Sequence, residues 1–433
     1  MAFAGTAVRD QSFRKSCAHH TKSKKGAGKL ALLKWAILAI AVLPFIYYLA
    51  ATFCAWDFFR RRREVTTDFS PPVSVLKPLR GLEHEAYENL ASFCRQDYPE
   101  YEILFAVDDG SDPAIPVIEK LISDFPSLPV RLLIGSGTPG SNNKVAKLCR
   151  LGREARNELL VVSDSDVRVK PDYLRCVVSP FRDPSVGAVT CLYVGMTEHN
   201  LWSELEDLNL TTGFLASTLV ARKLEGVKFA FGATMAVARS RLAEIGGFEA
   251  LADCADDDHE LGRRIAARGY RVELAPCTVQ TLCASSTARE FFQHHLRWGV
   301  VTRNGRPWGY AGLLFTQGLP WSLAAAAVAP SRVAAIGCLG IPLAARLAMA
   351  LTFGAHGMKD PLLRRKWWLI PLGDAVGFFI WAAALFSNRV SWRESKFYVR
   401  RGRLIPVTPP AVARHSRASG NPGRGNGPPL SRG

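Results

Sequence analysis

Leu159-Leu160-Val161-Val162-Ser163-Asp164-Ser165-Asp166-Val167-Arg168-Val169 decides how this chain is read. Four apolar residues, two of them β-branched, run directly into a carboxylate pair, as in a strand that is buried on both faces and ends at a ligand site. Asp164 and Asp166 lie two apart, so in an extended segment their side chains point the same way. Two carboxylates at the carboxyl end of a sheet strand suit a hard divalent cation, Mg²⁺ or Mn²⁺, that keeps positions open for phosphate oxygens. An acid-rich turn after a strand is the plain alternative, and the other strand endings weigh against it.

Outward from this stretch, apolar β-rich runs recur at Val73–Leu76, Ile103–Val107, Val130–Ile134, Ala188–Tyr193, Thr234–Ala238 and Val272–Leu274, with helical stretches between them. That alternation predicts an α/β domain with a mostly parallel sheet, whose ligands bind beyond the carboxyl ends of the strands. After Ile103–Val107 comes Asp108-Asp109-Gly110-Ser111-Asp112, a tight turn whose paired acids also suit a base or ribose. Asn142-Asn143-Lys144 follows the Gly-rich Gly135–Gly140 and offers a lysine to a diphosphate, or is an ordinary surface loop. Asp256-Asp257-Asp258-His259-Glu260 opens a helix; acids favour a helix's first turn, but three in a row exceed what capping needs. Phe291-Phe292-Gln293-His294-His295-Leu296-Arg297-Trp298 joins a guanidinium to an indole in an amphipathic stretch, which an interfacial helix also explains.

The ends of the chain have a different character. Residues 1–29 are polar and basic, with the composition of a disordered tail, and a membrane anchor is expected over 30–59, where Trp35–Trp56 holds no charge. Residues 70–305 form the α/β domain, 306–388 a hydrophobic region of two or three spans, and 389–433 a basic disordered tail. Val333–Ala355 and Trp367–Ser387 are good spans, whereas Gln317, Pro320 and several glycines spoil Trp308–Pro330. Basic clusters lie both between the last two spans and after them, so the positive-inside rule does not settle which side the tail occupies. Arg346 and Asp374 fall inside those spans, and each needs a partner; their depths from the shared loop predict that they pair. The formal charge of +17 gathers beside apolar runs, which points to a membrane surface rather than nucleic acid. Ten scattered cysteines without a Cys-x-x-Cys spacing argue against a zinc site or a disulfide framework and predict reduced thiols.

Together the four acidic and aromatic motifs resemble the inverting nucleotide-sugar glycosyltransferases of GT-A fold, in which they occur in the same order. The chain is most similar to their ceramide glucosyltransferase branch (family 21), with one amino-terminal anchor and a hydrophobic carboxyl-terminal region. The resemblance implies Asp108 and Asp109 at the uridine, Asp164 and Asp166 at the metal, Asp258, with Asp257 beside it, at the catalytic base, and Lys144, Arg297 and Trp298 at the donor. One departure stands at position 294, which is His where the motif has Gln or Arg, with Gln293 one place early. The stretches Ser74–Leu79, Gln96–Pro99 and Val189–Tyr193 are similar to bacterial hopanoid-biosynthesis members. They imply UDP-N-acetylglucosamine as donor, bacteriohopanetetrol as lipid acceptor, and a multi-pass protein of the bacterial inner membrane whose catalytic domain faces the cytosol. Transfer from UDP-glucose to ceramide is the second expectation. A processive polysaccharide synthase would need more membrane helices, and a non-catalytic scaffold would have lost the carboxylates that this chain keeps.

Overall fold

The computed structural model describes residues 6–60, 68–135, 140–392 and 395–407. Arg61–Arg63, residues 136–139 of the Gly-rich loop and the tail His415–Gly433 lie outside them. Strands β1 (Val73–Pro78), β2 (Tyr101–Val107), β3 (Val130–Ile134), β4 (Leu159–Val162), β5 (Val167–Arg168), β6 (Val186–Thr197), β7 (Met235–Ala238) and β8 (Arg271–Cys283) form one sheet in the order β3-β2-β1-β4-β7-β6-β8-β5. The seven runs expected from apolar patterning are all strands. The two-residue β5 was not expected, because Val167-Arg168 is too short to show a period.

Register explains why chemistry collects at one edge. β1 pairs in parallel with both β2 and β4, so Leu76 lies between Leu104 and Val162, and the three strands end together. Their carboxyl ends therefore share one rim: Asp108 after β2, Ser163-Asp164 after β4, and Lys77 at the end of β1 itself. β7 runs antiparallel to β4 with Val162 opposite Met235, so β7 begins at that same rim with Gly232–Thr234 just before it. The long β6 continues past the rim and carries Tyr193 beyond it. Alternate residues feed two cores. Leu76, Leu104, Leu160 and Val162 face one, while Val75, Ile103, Phe105 and Val161 face the other. That period of two is the pleat itself.

Among the described residues, three helices are long and apolar enough to cross a membrane: Lys29–Arg60, Arg332–Met358 and Pro361–Phe386. Pro307–Thr316 and Gly318–Val328 are bent by 48° at their break, so that pair is a broken span or a re-entrant loop. At the break the Gly318 N–H donates to the Tyr48 hydroxyl at 3.0 Å, in a place where any Cβ would collide with the ring. Arg346 and Asp374 do pair, with Nη2 to Oδ1 at 2.8 Å and Nε to Oδ2 at 3.0 Å.

Three expectations need correction. The first helix begins at Thr6, inside the stretch expected to be disordered, and runs to Arg60 with Pro44 inside it; Lys, Arg and Ala are good helix formers. The carboxyl-terminal tail is folded over residues 389–392 and 395–406, where β9 (Arg389–Trp392), β10 (Ser395–Arg400) and β11 (Arg403–Pro406) make an antiparallel sheet. Between β10 and β11 the turn is Arg401-Gly402 with positive φ at both residues, the conformation that matches the twist of a two-residue hairpin. Cys176 and Cys277 are bonded to each other although reduced thiols were expected; the helix Tyr173–Val178 packs on β8 and closes a separation of 101 residues that no local spacing reveals.

Candidate active site

Asn142 starts the site. As N-cap of the helix Asn143–Glu154, its Oδ1 accepts from the Lys144 and Val145 N–H groups at 3.0 and 3.3 Å. Its Nδ2 donates to Cys254 O at 2.9 Å and to Asp257 Oδ1 at 3.2 Å. One amide thus ties the lysine loop to the acidic helix Asp257–Ala267. Lys144 Nζ then lies 2.7 Å from Asp164 Oδ1 and 3.5 Å from Asp257 Oδ2. Burial alone would lower the Lys144 pKa, but the charges of Asp164, Asp257 and Asp258 outweigh it and push it up.

Asp258 is held from both sides. Gly232 N–H donates to its Oδ2 at 2.5 Å and His259 N–H to its Oδ1 at 2.8 Å. Burial, the Asp256 charge and a hydrogen bond to Asp256 raise its pKa to about 8, so near neutrality the cleft holds a proton there. Asp257 is 5% exposed, and burial raises it as well. Gly232 is the meeting point. A Cβ there would stand 2.5 Å from Asp164 Oδ2, 3.1 Å from Lys144 Nζ and 3.3 Å from Asp258 Oδ2. The structure therefore brings four of the expected residues together: Lys144, Asp164, Asp257 and Asp258.

Asp166 faces β8, where Thr281 Oγ1 donates to its Oδ2 at 3.1 Å; burial and the Asp164 charge push it up to about 6. Among the described residues no group of three or more His, Cys, Asp or Glu forms a metal cage. The oxygen donors of Asp164 and Asp166 are nevertheless of the kind a hard cation takes, with its remaining positions left open. Two carboxylates repel across the turn, and the Lys144 ammonium already occupies one of them. Asp108 Oδ1 lies 2.8 Å from Nζ of the buried Lys147, one turn along from Lys144 on the same helix. Asp109 is exposed and accepts from the N–H and hydroxyl of Ser111.

Arg297 and Trp298 come in on a separate helix, Ala288–Gly305. His294 takes the place of the expected Gln or Arg, and its Nδ1 lies 2.6 Å from Oε1 of the buried Glu206, while its ring lies 4.3 Å from that of Trp298. Burial would raise Glu206, but the His294 hydrogen bond and charge outweigh it and hold it below the usual range. The departure from the motif is therefore matched by a carboxylate on Leu201–Asn209, a helix that sequence pattern did not connect to it.

Four residues here carry no site role in the sequence reading. Lys77 is fully buried, with Nζ donating to Ser163 Oγ at 3.4 Å and to the Asp164 carbonyl, and lying 3.9 Å from the Phe93 ring centre. A lysine ending an otherwise apolar strand was its one available signal. Tyr193 reaches the carboxylates from β6; burial and the charges of Asp258, Asp164 and Asp166 push its hydroxyl well up. Gly232 and Lys147 carry no local mark.

A family model described as Glycosyl transferase family 21 matches residues 36–405, and the chain belongs to that family. Ceramide glucosyltransferase 1 of Caenorhabditis elegans is 27% identical over 261 residues, which is 60% of this chain and 55% of the relative. The ceramide glucosyltransferase of Gibberella zeae is 30% identical over 134 residues, 29% of this chain and 25% of the relative. The chain thus spans about half the length, 55% and 58%, of the two nematode relatives it matches. Among solved structures, the mannosyltransferase PcManGT from Pyrobaculum calidifontis in complex with GDP-Man and Mn²⁺ aligns with a TM-score of 0.47 and 20% identity, over 79% of this chain and 98% of that one.

Proposed function

We propose that the chain transfers a sugar from a UDP-sugar to a hydroxyl of a membrane lipid, with inversion at the anomeric carbon. The observation that carries this reading is the convergence of Asp164, Lys144 and Asp258 on Gly232, which sets an ion pair beside a carboxyl that is a stronger base than an ordinary aspartate once ionised. Asp258, in its ionised form, accepts the proton of the acceptor hydroxyl as that oxygen attacks from the face opposite UDP. The Gly232 and His259 N–H groups fix its two oxygens for that task. Lys144 turns its ammonium to the diphosphate, and Asp108 and Asp109 take the uridine. Mg²⁺ or Mn²⁺ held by Asp164 and Asp166 would supply positive charge against the departing diphosphate. Arg297 clamps the diphosphate and Trp298 walls the acceptor side, both from the helix Ala288–Gly305.

Two acceptors are favoured by different observations. The stretches at Ser74–Leu79, Gln96–Pro99 and Val189–Tyr193 favour bacteriohopanetetrol with UDP-N-acetylglucosamine, in a bacterial inner membrane with the domain on the cytosolic side. The curated relatives favour ceramide with UDP-glucose. Membranes containing the protein, incubated with each labelled UDP-sugar and analysed by lipid mass spectrometry, should yield a glycosylated hopanoid under the first reading and a hexosylceramide under the second. A water-soluble polymer as the product would overturn both.

A further inference from the structure

The cleft has an aromatic side that leads out of it. Phe231 directly precedes Gly232 and is buried; its ring centre stands 5.5 Å from that of Tyr193, 5.3 Å from that of Phe229 and 5.6 Å from that of Phe214. Phe214, in contrast, is 45% exposed. Ring contacts therefore run from the surface to the residue beside the one whose N–H holds Asp258.

Phe214 sits in a π-helical turn, Leu210–Leu215, a local irregularity frequent at functional sites. Beside it, Gly213 has open space where a Cβ would stand. The same turn is bonded to a candidate span: Arg346 Nη1 and Nη2 donate to the Thr212 carbonyl and hydroxyl at 3.3 and 3.0 Å. Phe214 therefore emerges where the catalytic domain meets the membrane helices. Core packing accounts for Phe231 but not for a half-exposed ring at that seam.

We propose that Phe214 and Phe231 form the entry path for the hydrocarbon part of the acceptor lipid, which leaves the bilayer at the π-turn and presents its hydroxyl past Tyr193 to Asp258. The path rests on the reading that the acceptor is a lipid. Its occupant is fixed by its two ends, a candidate membrane span at one and the candidate base at the other; a single amphiphile joins them, and a protein partner would require a broad face.

Irradiating the full-length protein in micelles with diazirine-tagged ceramide or diazirine-tagged bacteriohopanetetrol should label the peptide containing Leu210–Leu215. Phe214→Ala should lower kcat/KM about five- to tenfold for whichever of the two lipids is glycosylated, with the donor KM unchanged, and Phe214→Trp should restore most of it. Label confined to the helices Arg332–Met358 and Pro361–Phe386, with Phe214→Ala at full kcat/KM, would overturn the path and leave lipid transfer standing. If neither lipid is glycosylated and neither labels the π-turn, lipid transfer itself fails and the path falls with it.

Discussion

Two regions of this molecule bury charge, and they do so to opposite ends. At the membrane seam Arg346 meets Asp374 through two nitrogens and spends its remaining donors on Thr212, so the charges are matched. In the cleft Lys144 pairs with Asp164 and Asp257 and Lys77 lies behind Asp164, yet Asp166 and Asp258 are still pushed up to about 6 and about 8. A matched buried pair holds elements together, and removing one partner strands the other. A crowded acidic group is held in a state that a ligand or a proton relieves, which is the ordinary condition of a working site. The comparison predicts that substitutions in the cleft cost activity and spare the fold, and that substitutions at the seam do the reverse.

The largest effects should come from the cleft. Asp258→Asn, Asp164→Asn and Asp166→Asn should each reduce sugar transfer by about 10²–10⁴ while the protein still purifies folded. Calorimetry should show near-normal UDP-sugar binding for Asp258→Asn and weakened binding for the other two, with Asp257→Asn milder in turnover. Equal loss of turnover in Asp257→Asn and Asp258→Asn would move the base. Excess chelator should abolish transfer, and full activity in its presence would remove the metal assignment.

At the seam, Asp374→Ala should destabilise the protein by about 3–5 kcal/mol, because it leaves the buried Arg346 charge alone, and Arg346→Ala should cost less, because Asp374 is partly exposed. The swap Arg346→Asp with Asp374→Arg should recover part of that loss, as read by thermal unfolding in detergent. Strictly additive single and double variants would show that the pair is not coupled.

Gly232→Ala tests the meeting point with a smaller change. The added methyl would stand 2.5 Å from Asp164 Oδ2, so that carboxylate must turn aside. Transfer should fall by about tenfold or more, with the loss appearing in the affinity for Mn²⁺ measured without substrate. Unchanged Mn²⁺ affinity would separate Gly232 from the metal-facing pair.

The difference between the two regions also marks what sequence alone revealed. Strands with apolar runs declared themselves, and so did the acids behind them, because a strand's end is a local event. The Arg346–Asp374 pair was legible for a related reason: a charge within an apolar span needs a partner, and helix rise measures its depth. Thr212, which completes that pair, was not legible, since it comes from another domain 134 residues away in sequence. Gly232 is unmarked because its role arises from β7 running back along β4, which no spacing encodes. Glu206 is unmarked because it reaches His294 from a separate helix, Leu201–Asn209, that no sequence spacing links to it. The folded tail was misread because its basic composition hid short alternating strands and the Arg401-Gly402 turn.

The most discriminating test asks whether the crowded cleft destabilises the protein. Asp258 has its folded pKa raised to about 8, while an unfolded aspartate titrates near ~3.9. Between those values the folded chain keeps a proton that the unfolded chain releases, so wild-type stability falls as pH rises from about 4 to about 8 and then levels. Asparagine does not ionise. Asp258→Asn should therefore be more stable than wild type at pH 8 without metal or donor, with a smaller gap at pH 5; each kcal/mol appears as roughly 2–4 °C in Tm for a domain of this size. Metal and UDP-sugar should narrow the gap at pH 8 by favouring the ionised carboxyl. A variant equally stable at both pH values would show that the cleft does not hold the proton, and a less stable variant would make Asp258 a structural acid like Asp374.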